Sequence, residues 1–303
     1  MKLGYNEIMI VSMYFNDIID FINLEIGVKR FQGNMERFHF NPIPLNHYSR
    51  RLFTNIETLH IYNERDRVFN DGKIFKYVIW YKVEYLTYLE EKGQWDIYKN
   101  IIYTYKNREI FGAIIPLEAK SLGHECFYEC YDVQEITIPS SVSEIGYSCF
   151  NGCTSLTSII IPPSIREFKV NCFCECCSLK SINIPSSASK LDNKCFSGCS
   201  SLTSITIPSS IKDIGTDCFS GCSSLKSINI PSSITKLGDE CLSGCISLTS
   251  MNIDNLQFIS EEKIFINEPV LISMKIPKPI QMINGKRAEK KDINKFIIPS
   301  SIY

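Results

Sequence analysis

Between residues 116 and 253, short bursts of alternating apolar and polar positions return with a constant period of 23. The burst Leu-x-Ser-Ile-x-Ile, at residues 202–207 and 225–230 among others, predicts a half-buried strand with its isoleucines facing inward. Proline then ends the strand, because it has no N–H to donate to a ladder. Pro139, Pro162, Pro185, Pro208 and Pro231 recur at that period, Pro116 and Pro277 share their register, and Asp254 takes the place of a proline. The full unit reads P-S-S-I-x-x-I/L-G-x-x-C-F-x-G-C-x-S-L-x-S-I-x-I. Its Ser-Ser-Ile-x-x-Ile/Leu-Gly part supplies two more inward anchors and predicts turns at Gly146, Gly215 and Gly238, where a positive φ costs little. Its Cys-Phe-x-Gly-Cys-x-Ser-Leu part predicts a short turn, or a single helical turn, back to the next strand.

One unit cannot bury its own apolar face, whereas about eight stacked units make continuous columns of Ile, Leu, Phe and Cys. The expected fold class is therefore an α/β solenoid with one long parallel sheet. The unit resembles the BspA-like leucine-rich repeats, whose pattern is I-x-I-P-x-x-[VI]-x-x-I-G-x-x-[AC]-F-x-x-C-x-S-L. Ile207, Pro208, Ile211, Ile214, Gly215, Cys218, Phe219, Cys222 and Leu225 carry it in one coil. The resemblance implies a leucine-rich repeat stack with six regular repeats over residues 116–253. Residues 254–303 read as degenerate capping repeats. There Ile264 and Glu268 stand where the cysteines would be, Ser273 and Lys275 continue the strand rows, and residues 296–302 form the last strand.

Residues 1–115 hold 22 of the 35 aromatic residues and no cysteine, which marks a distinct region. Apolar spacing predicts short helices over residues 7–15, 17–26 and 28–38, with Asn16 or Asp17 capping the second. Residues 1–49 thus form a small helical N-terminal cap. Ile8 to Phe15, then Asp20-Phe21-Ile22-Asn23-Leu24, then Val28-Lys29-Arg30-Phe31 are similar to an F-box, although Gly4-Tyr5-Asn6 replaces its usual Leu-Pro opening. That resemblance implies docking to a ubiquitin-ligase adaptor; a cap over the open end of the stack is the other reading. Residues 50–115 read as irregular early coils of the same sheet, with strands at residues 55–61, 75–83 and 101–105 and exposed loops at 63–72 and 89–94.

The 14 cysteines all lie between Cys126 and Cys245. A chain of 303 residues can build a core without staples, no Asn-x-Ser/Thr sequon occurs, and no secretory signal is evident, so reduced thiols are expected. The C-x3-C pairs could suggest stacked zinc sites, but no histidine except His124 lies near them. They read instead as two inward columns of small hydrophobes, with Cys174 and one of Cys176 and Cys177 as extras. The apolar stretch at residues 8–15 is too short for a bilayer span, so the chain is expected in the cytoplasm. With 32 basic against 33 acidic side chains, general binding to nucleic acid is not expected.

The residues between the inward isoleucines form an exposed face. One row reads Ser158, Ser181, Ser204, Ser227, Ser250; the next includes Asn183, Thr206, Asn229 and Asn252; a third carries Lys180 and Lys226 among threonines. A ladder of Ser, Thr and Asn offers no nucleophile with its base and no paired carboxylates, so no catalytic residue, cofactor or metal is expected. The face is either plain solvated sheet or the binding surface of a monomeric, non-enzymatic protein–protein interaction scaffold. An F-box-type ubiquitin-ligase subunit is the alternative, and the BspA resemblance adds a surface adhesin.

Overall fold

The computed structural model describes residues 4–93 and 95–253, and beyond them 256–259, 263–266, 272–275, 281–283 and 286–287. The chain divides into two compact units, Met1–Ile101 and Ile102–Tyr303. Among the described residues no helix is long and apolar enough to cross a membrane.

The first unit begins with helices α1 (Tyr5–Ser12) and α2 (Ile18–Gly27), and the Asp17 carboxylate caps α2 by accepting from the backbone of Ile19 at 2.8 Å and Asp20 at 3.2 Å. The third expected helix is instead two 3-10 turns, Lys29–Phe31 and Met35–Arg37. Gly33 between them adopts φ +76°, which no α-helix contains, and Glu25 fixes the break by accepting from the backbone N–H groups of Gly33 and Met35. After the single turn α3 (His47–Arg50), strand β1 (Thr58–Ile61) pairs in parallel with β2 (Lys76–Glu84). Helix α4 (Tyr85–Glu91) runs into the first half of the segment 89–94 expected to be a charged loop, and strand β3 (Ile97–Tyr103) follows. The core is aromatic. Phe21 is fully buried and makes edge-on contacts with Phe15, Phe38 and Phe53 at centroid distances of 5.0, 5.8 and 5.2 Å.

In the second unit, Thr104 caps helix α5 (Tyr105–Phe111), and short strands then alternate along the chain. They are β4 (Ser121–Leu122), β5 (Glu135–Thr137), β6 (Glu144–Ile145), β7 (Ser158–Ile160), β8 (Glu167–Phe168), β9 (Lys190–Leu191) and β10 (Ser204–Ile205). Next come β11 (Asp213–Ile214), β12 (Ser227–Ile230), β13 (Lys236–Leu237) and β14 (Ser250–Ile253). The expected single sheet is in fact two sets of parallel ladders. Ser-Ile-x-Ile strands pair as β5 with β7 and as β10, β12 and β14 in succession. The apolar residue before the repeat's glycine position (Ile, Leu or Phe), with its preceding residue, builds the other set, β4 with β6 and then β8, β9, β11 and β13. Ile102 and Tyr103, at the end of β3, pair with β4 and so enter this second set rather than the Ser-Ile-x-Ile sheet. Every regular pairing steps by one repeat period, as in Ser204 with Ser227 and Asp213 with Lys236.

A third backbone column runs through the turns. Phe127, Phe150, Phe173, Phe196 and Phe219 each donate their N–H to a cysteine carbonyl of the next coil at 2.7–2.9 Å. The same rings stack face to face, with successive centroids 5.2–5.6 Å apart and all fully buried. Gly146, Gly215 and Gly238 do not adopt positive φ as expected; an added Cβ there would collide with the backbone of the preceding coil at Gly123, Asn193 and Thr216. Lys169 and Asp192 occupy the corresponding place in two coils, so the position needs no left-handed residue, and the close approach belongs to the coils that carry Gly146, Gly215 and Gly238. Positive φ falls instead on Gly152, Gly198, Gly221 and Gly244, and on Ser148, Asn171, Lys194 and Asp217 just before cysteine. Those four non-glycine residues donate their N–H to the next coil at 2.9–3.0 Å, which offsets the cost of about 1–2 kcal/mol per left-handed residue.

The coil from Asp254 departs from expectation. Strands β15 (Leu256–Ile259), β16 (Lys263–Ile266) and β17 (Ile272–Lys275) form an antiparallel sheet, so Ser273 and Lys275 do not continue the rows. Strand β18 (Met282–Ile283) takes the place beside β14, and β19 (Lys286–Arg287) folds back antiparallel on it. The final strand expected at residues 296–302 lies outside the described residues.

Candidate functional site

The expected face exists and is polar. Ile182, Ile205 and Ile228 turn into the core, while Ser158, Ser181, Ser204, Ser227, Lys180 and Lys226 point outward and Ser250 is half-buried. Asn183, Thr206, Asn229 and Asn252 form the exposed second row. Strand pairing sets Ser204, Ser227 and Ser250 side by side, Asn229 beside Asn252, and Asn183 beside Thr206 through a single bridge. Among the described pairings none joins Ser158 to Ser181; Ser158 neighbours Glu135 instead. Ile160, 63% exposed, interrupts the polar second row.

The hydroxyls flanking this face are already engaged. Thr157 and Thr203 donate to the carbonyls of Gln134 and Lys180 in the preceding coil at 3.0 and 3.3 Å. Among the described residues, the side chains of Ser204, Ser227, Asn229 and Asn252 make no such bond. These groups can donate and accept hydrogen bonds at a spacing set by neighbouring strands, roughly 4.8 Å, with Lys180 and Lys226 adding two cations. They provide recognition chemistry and no bond-breaking chemistry.

The cysteines occupy two buried columns, with only Cys174 and Cys177 half-buried, and all 14 are free thiols. The second column is bonded. Cys153, Cys176, Cys199, Cys222 and Cys245 each donate from Sγ to the carbonyl of a phenylalanine in the preceding coil at 2.9–3.2 Å. Burial pushes the thiols of Cys172, Cys195, Cys199, Cys218 and Cys222 well up, and that of Cys241 to about 12, so they stay protonated. A protonated thiol is a poor nucleophile and a poor metal ligand. Among the described residues no group of three or more His, Cys, Asp or Glu side chains converges to hold a metal ion.

Sequence reasoning missed one surface. The outward side of β1, β2 and β3 in the first unit carries His60, Trp80 and Lys99 around a concavity of about 290 Å3. Its only signal was the two-residue spacing of His60 with Tyr62 and of Val78 with Trp80 in strands whose other face is apolar.

The repeat region matches the family described as BspA type leucine rich repeat region (6 copies), over residues 102–220 and 189–303, about two thirds of the chain. A leucine-rich repeat protein from Bacteroides ovatus has a similar structure at 24% identity and a TM-score of 0.50, covering 76% of this chain and 55% of that one. The likeness is one of fold, and this chain spans about half the length of that protein. A T. pallidum leucine-rich repeat protein is similar at 22% identity, covering 57% of this chain and 68% of that one, with a TM-score of 0.36. A leucine rich cell surface protein from Faecalibacterium prausnitzii is similar at 18% identity, covering 82% and 77% of the two chains, with a TM-score of 0.38. No curated protein matches the sequence. With its 23-residue register, its stacked phenylalanines and this match over residues 102–303, the chain belongs to the BspA-type leucine-rich repeat family.

Proposed function

We propose that the chain is a non-enzymatic solenoid scaffold that holds a protein partner on its Ser-Ile-x-Ile face. The observation that carries this reading is the set of exposed, unengaged hydroxyls and amides at Ser204, Ser227, Asn229 and Asn252, presented in register on adjacent strands. Repeat arrays characteristically bind through such extended surfaces, because one rigid coil after another presents similar groups at a constant interval. A photo-crosslinking residue at position 227 should capture one protein from the native source. The same residue at position 212, exposed just before β11 on the other ladder set, should not. Equal capture from both positions, or none from 227, sinks the reading.

A second reading rests on a separate observation. Helices α1 and α2 and their connection expose Ile10, Val11, Met13, Tyr14, Ile19 and Ile26, between 42% and 82% accessible. Apolar side chains gathered at this density mark docking surfaces, and the F-box-like spacing suggests a ubiquitin-ligase adaptor in the cytoplasm. In that case the adaptor co-purifies with the intact chain and is lost from an Ile19→Lys, Ile26→Lys variant; failure of the unaltered chain to retain it removes the reading. Labelling of the chain on intact cells by an impermeant reagent would favour the surface-adhesin role found in the family.

A further inference from the structure

The concavity on the outward face of the first unit has an unusual combination of walls. Phe40 and His60 stack with centroids 4.8 Å apart, His60 lies 5.5 Å from the Trp80 ring, and Trp80 stacks with Tyr62 at 6.3 Å. The Nζ of Lys99 stands 5.5 Å from the centre of the Trp80 ring, and Lys76 lines the same hollow. Among the described residues no carboxylate lines it. His39 at the rim faces Glu57 at 3.8 Å, so the excess positive charge comes from the two lysines.

His60 contributes a surface rather than a charge. Burial, and then the charge of Lys99, lowers its pKa to about 4, so the ring is neutral near pH 7. The Tyr62 hydroxyl donates to the Asn41 carbonyl at 2.8 Å and lies 3.3 Å from His60 Nδ1, which fixes the plane of the imidazole. The hollow therefore offers aromatic surface that favours stacking, Trp80 being 38% exposed, beside two lysines that face no carboxylate among the described residues. Its volume of about 290 Å3 falls just below the usual range of ligand pockets, roughly 300–1,000 Å3, which suits a small ligand rather than a polymer. A polyanion would require a track of basic groups, whereas two lysines, Lys76 and Lys99, line this hollow.

We propose that this hollow binds a small planar anion, an aromatic ring bearing a phosphate or a carboxylate. The ring stacks on Trp80 and His60, and Lys76 and Lys99 hold the charge. The site is independent of the partner surface on the repeats, so either can fail without the other.

Adenosine monophosphate and 4-hydroxybenzoate, titrated into the full chain, distinguish the two sources of such an anion. Intrinsic fluorescence reports stacking directly, since Trp80 is one of only two tryptophans, and calorimetry gives the affinity. Submillimolar binding of either ligand is expected, weakened about tenfold or more in Lys76→Glu and in Lys99→Glu and lost in Trp80→Ala. Lys76 and Lys99 are exposed, so those two variants should melt like the unaltered protein and separate loss of binding from loss of fold. Inorganic phosphate or glucuronate binding as tightly as the aromatic ligands would overturn the stacking role. Absence of binding by both aromatic ligands at about 5 mM would overturn the site.

Discussion

Cysteine at the second column combines two jobs, the second of which an aliphatic side chain could not do. It fills a small space beside the stacked rings, and its S–H donates to the phenylalanine carbonyl one coil back, as Cys222 does to Phe196 at 3.2 Å. Burial of the thiols sets two expectations. A thiol reagent should modify at most Cys174 and Cys177 quickly in the folded protein, and all 14 cysteines after denaturation; rapid reaction of a dozen would mean the columns are open. The second concerns pH. Cys195, Cys218 and Cys241 hold their protons in the folded chain above the ordinary value of 9.0, so alkaline solution favours the unfolded state, which ionises first. Their contribution is complete below pH 9 and falls by about 1.4 kcal/mol per thiol per pH unit above it. Melting temperatures measured up to pH about 10.5 should drop steeply, and less steeply in a Cys218→Ala, Cys241→Ala variant. A slope unaffected by these substitutions would reject the assignment.

At the scale of the element, the 23-residue interval and the inward Ile, Leu, Phe and Cys columns were legible, because a repeat displays the same burial pattern again and again. The second set of ladders was not. Glu144–Ile145 and Asp213–Ile214 are two-residue strands, too short to show a period of two. Direction was hidden too: residues 272–275 alternate apolar and polar as the repeat strands do, yet pair antiparallel with residues 263–266, since alternation carries no information on the neighbour's polarity. The polar face was readable residue by residue, whereas the hollow beside Trp80 depends on Phe40 meeting His60 from another part of the chain. Glycine had two meanings that one letter cannot separate. Gly238→Ala would drive a Cβ into the Thr216 backbone, at a cost of about 1–3 kcal/mol or more. Gly221→Ala would meet Gly198 at an ordinary 3.4 Å and suffer only the left-handed φ of +75°, roughly 1 kcal/mol. Thermal melts should therefore rank Gly238→Ala as the more damaging; the reverse order would refute the close-approach argument.

At the scale of the molecule, the repeat region is held by contacts between nearest coils, through two strand ladders and the phenylalanine column. Removal of residues 209–231, one whole coil, should bring equivalent residues into contact across the gap and leave a cooperative melt. Removal of only residues 209–219 takes away β11, Cys218 and Phe219 without their strand, and the product should melt far lower or fail to fold. Similar behaviour of the two deletions would contradict nearest-coil coupling. Coupling of this kind also gives meaning to the step from Ser250 to its neighbour Met282, which is longer than the constant step from Ser204 to Ser227 to Ser250. An antiparallel excursion leaves the stack after Ile253, and the chain rejoins the ladder at Gln281. The ladder thus continues across nine residues more than its period, so extra chain between Ile253 and Gln281 is compatible with the pairing of β14 to β18.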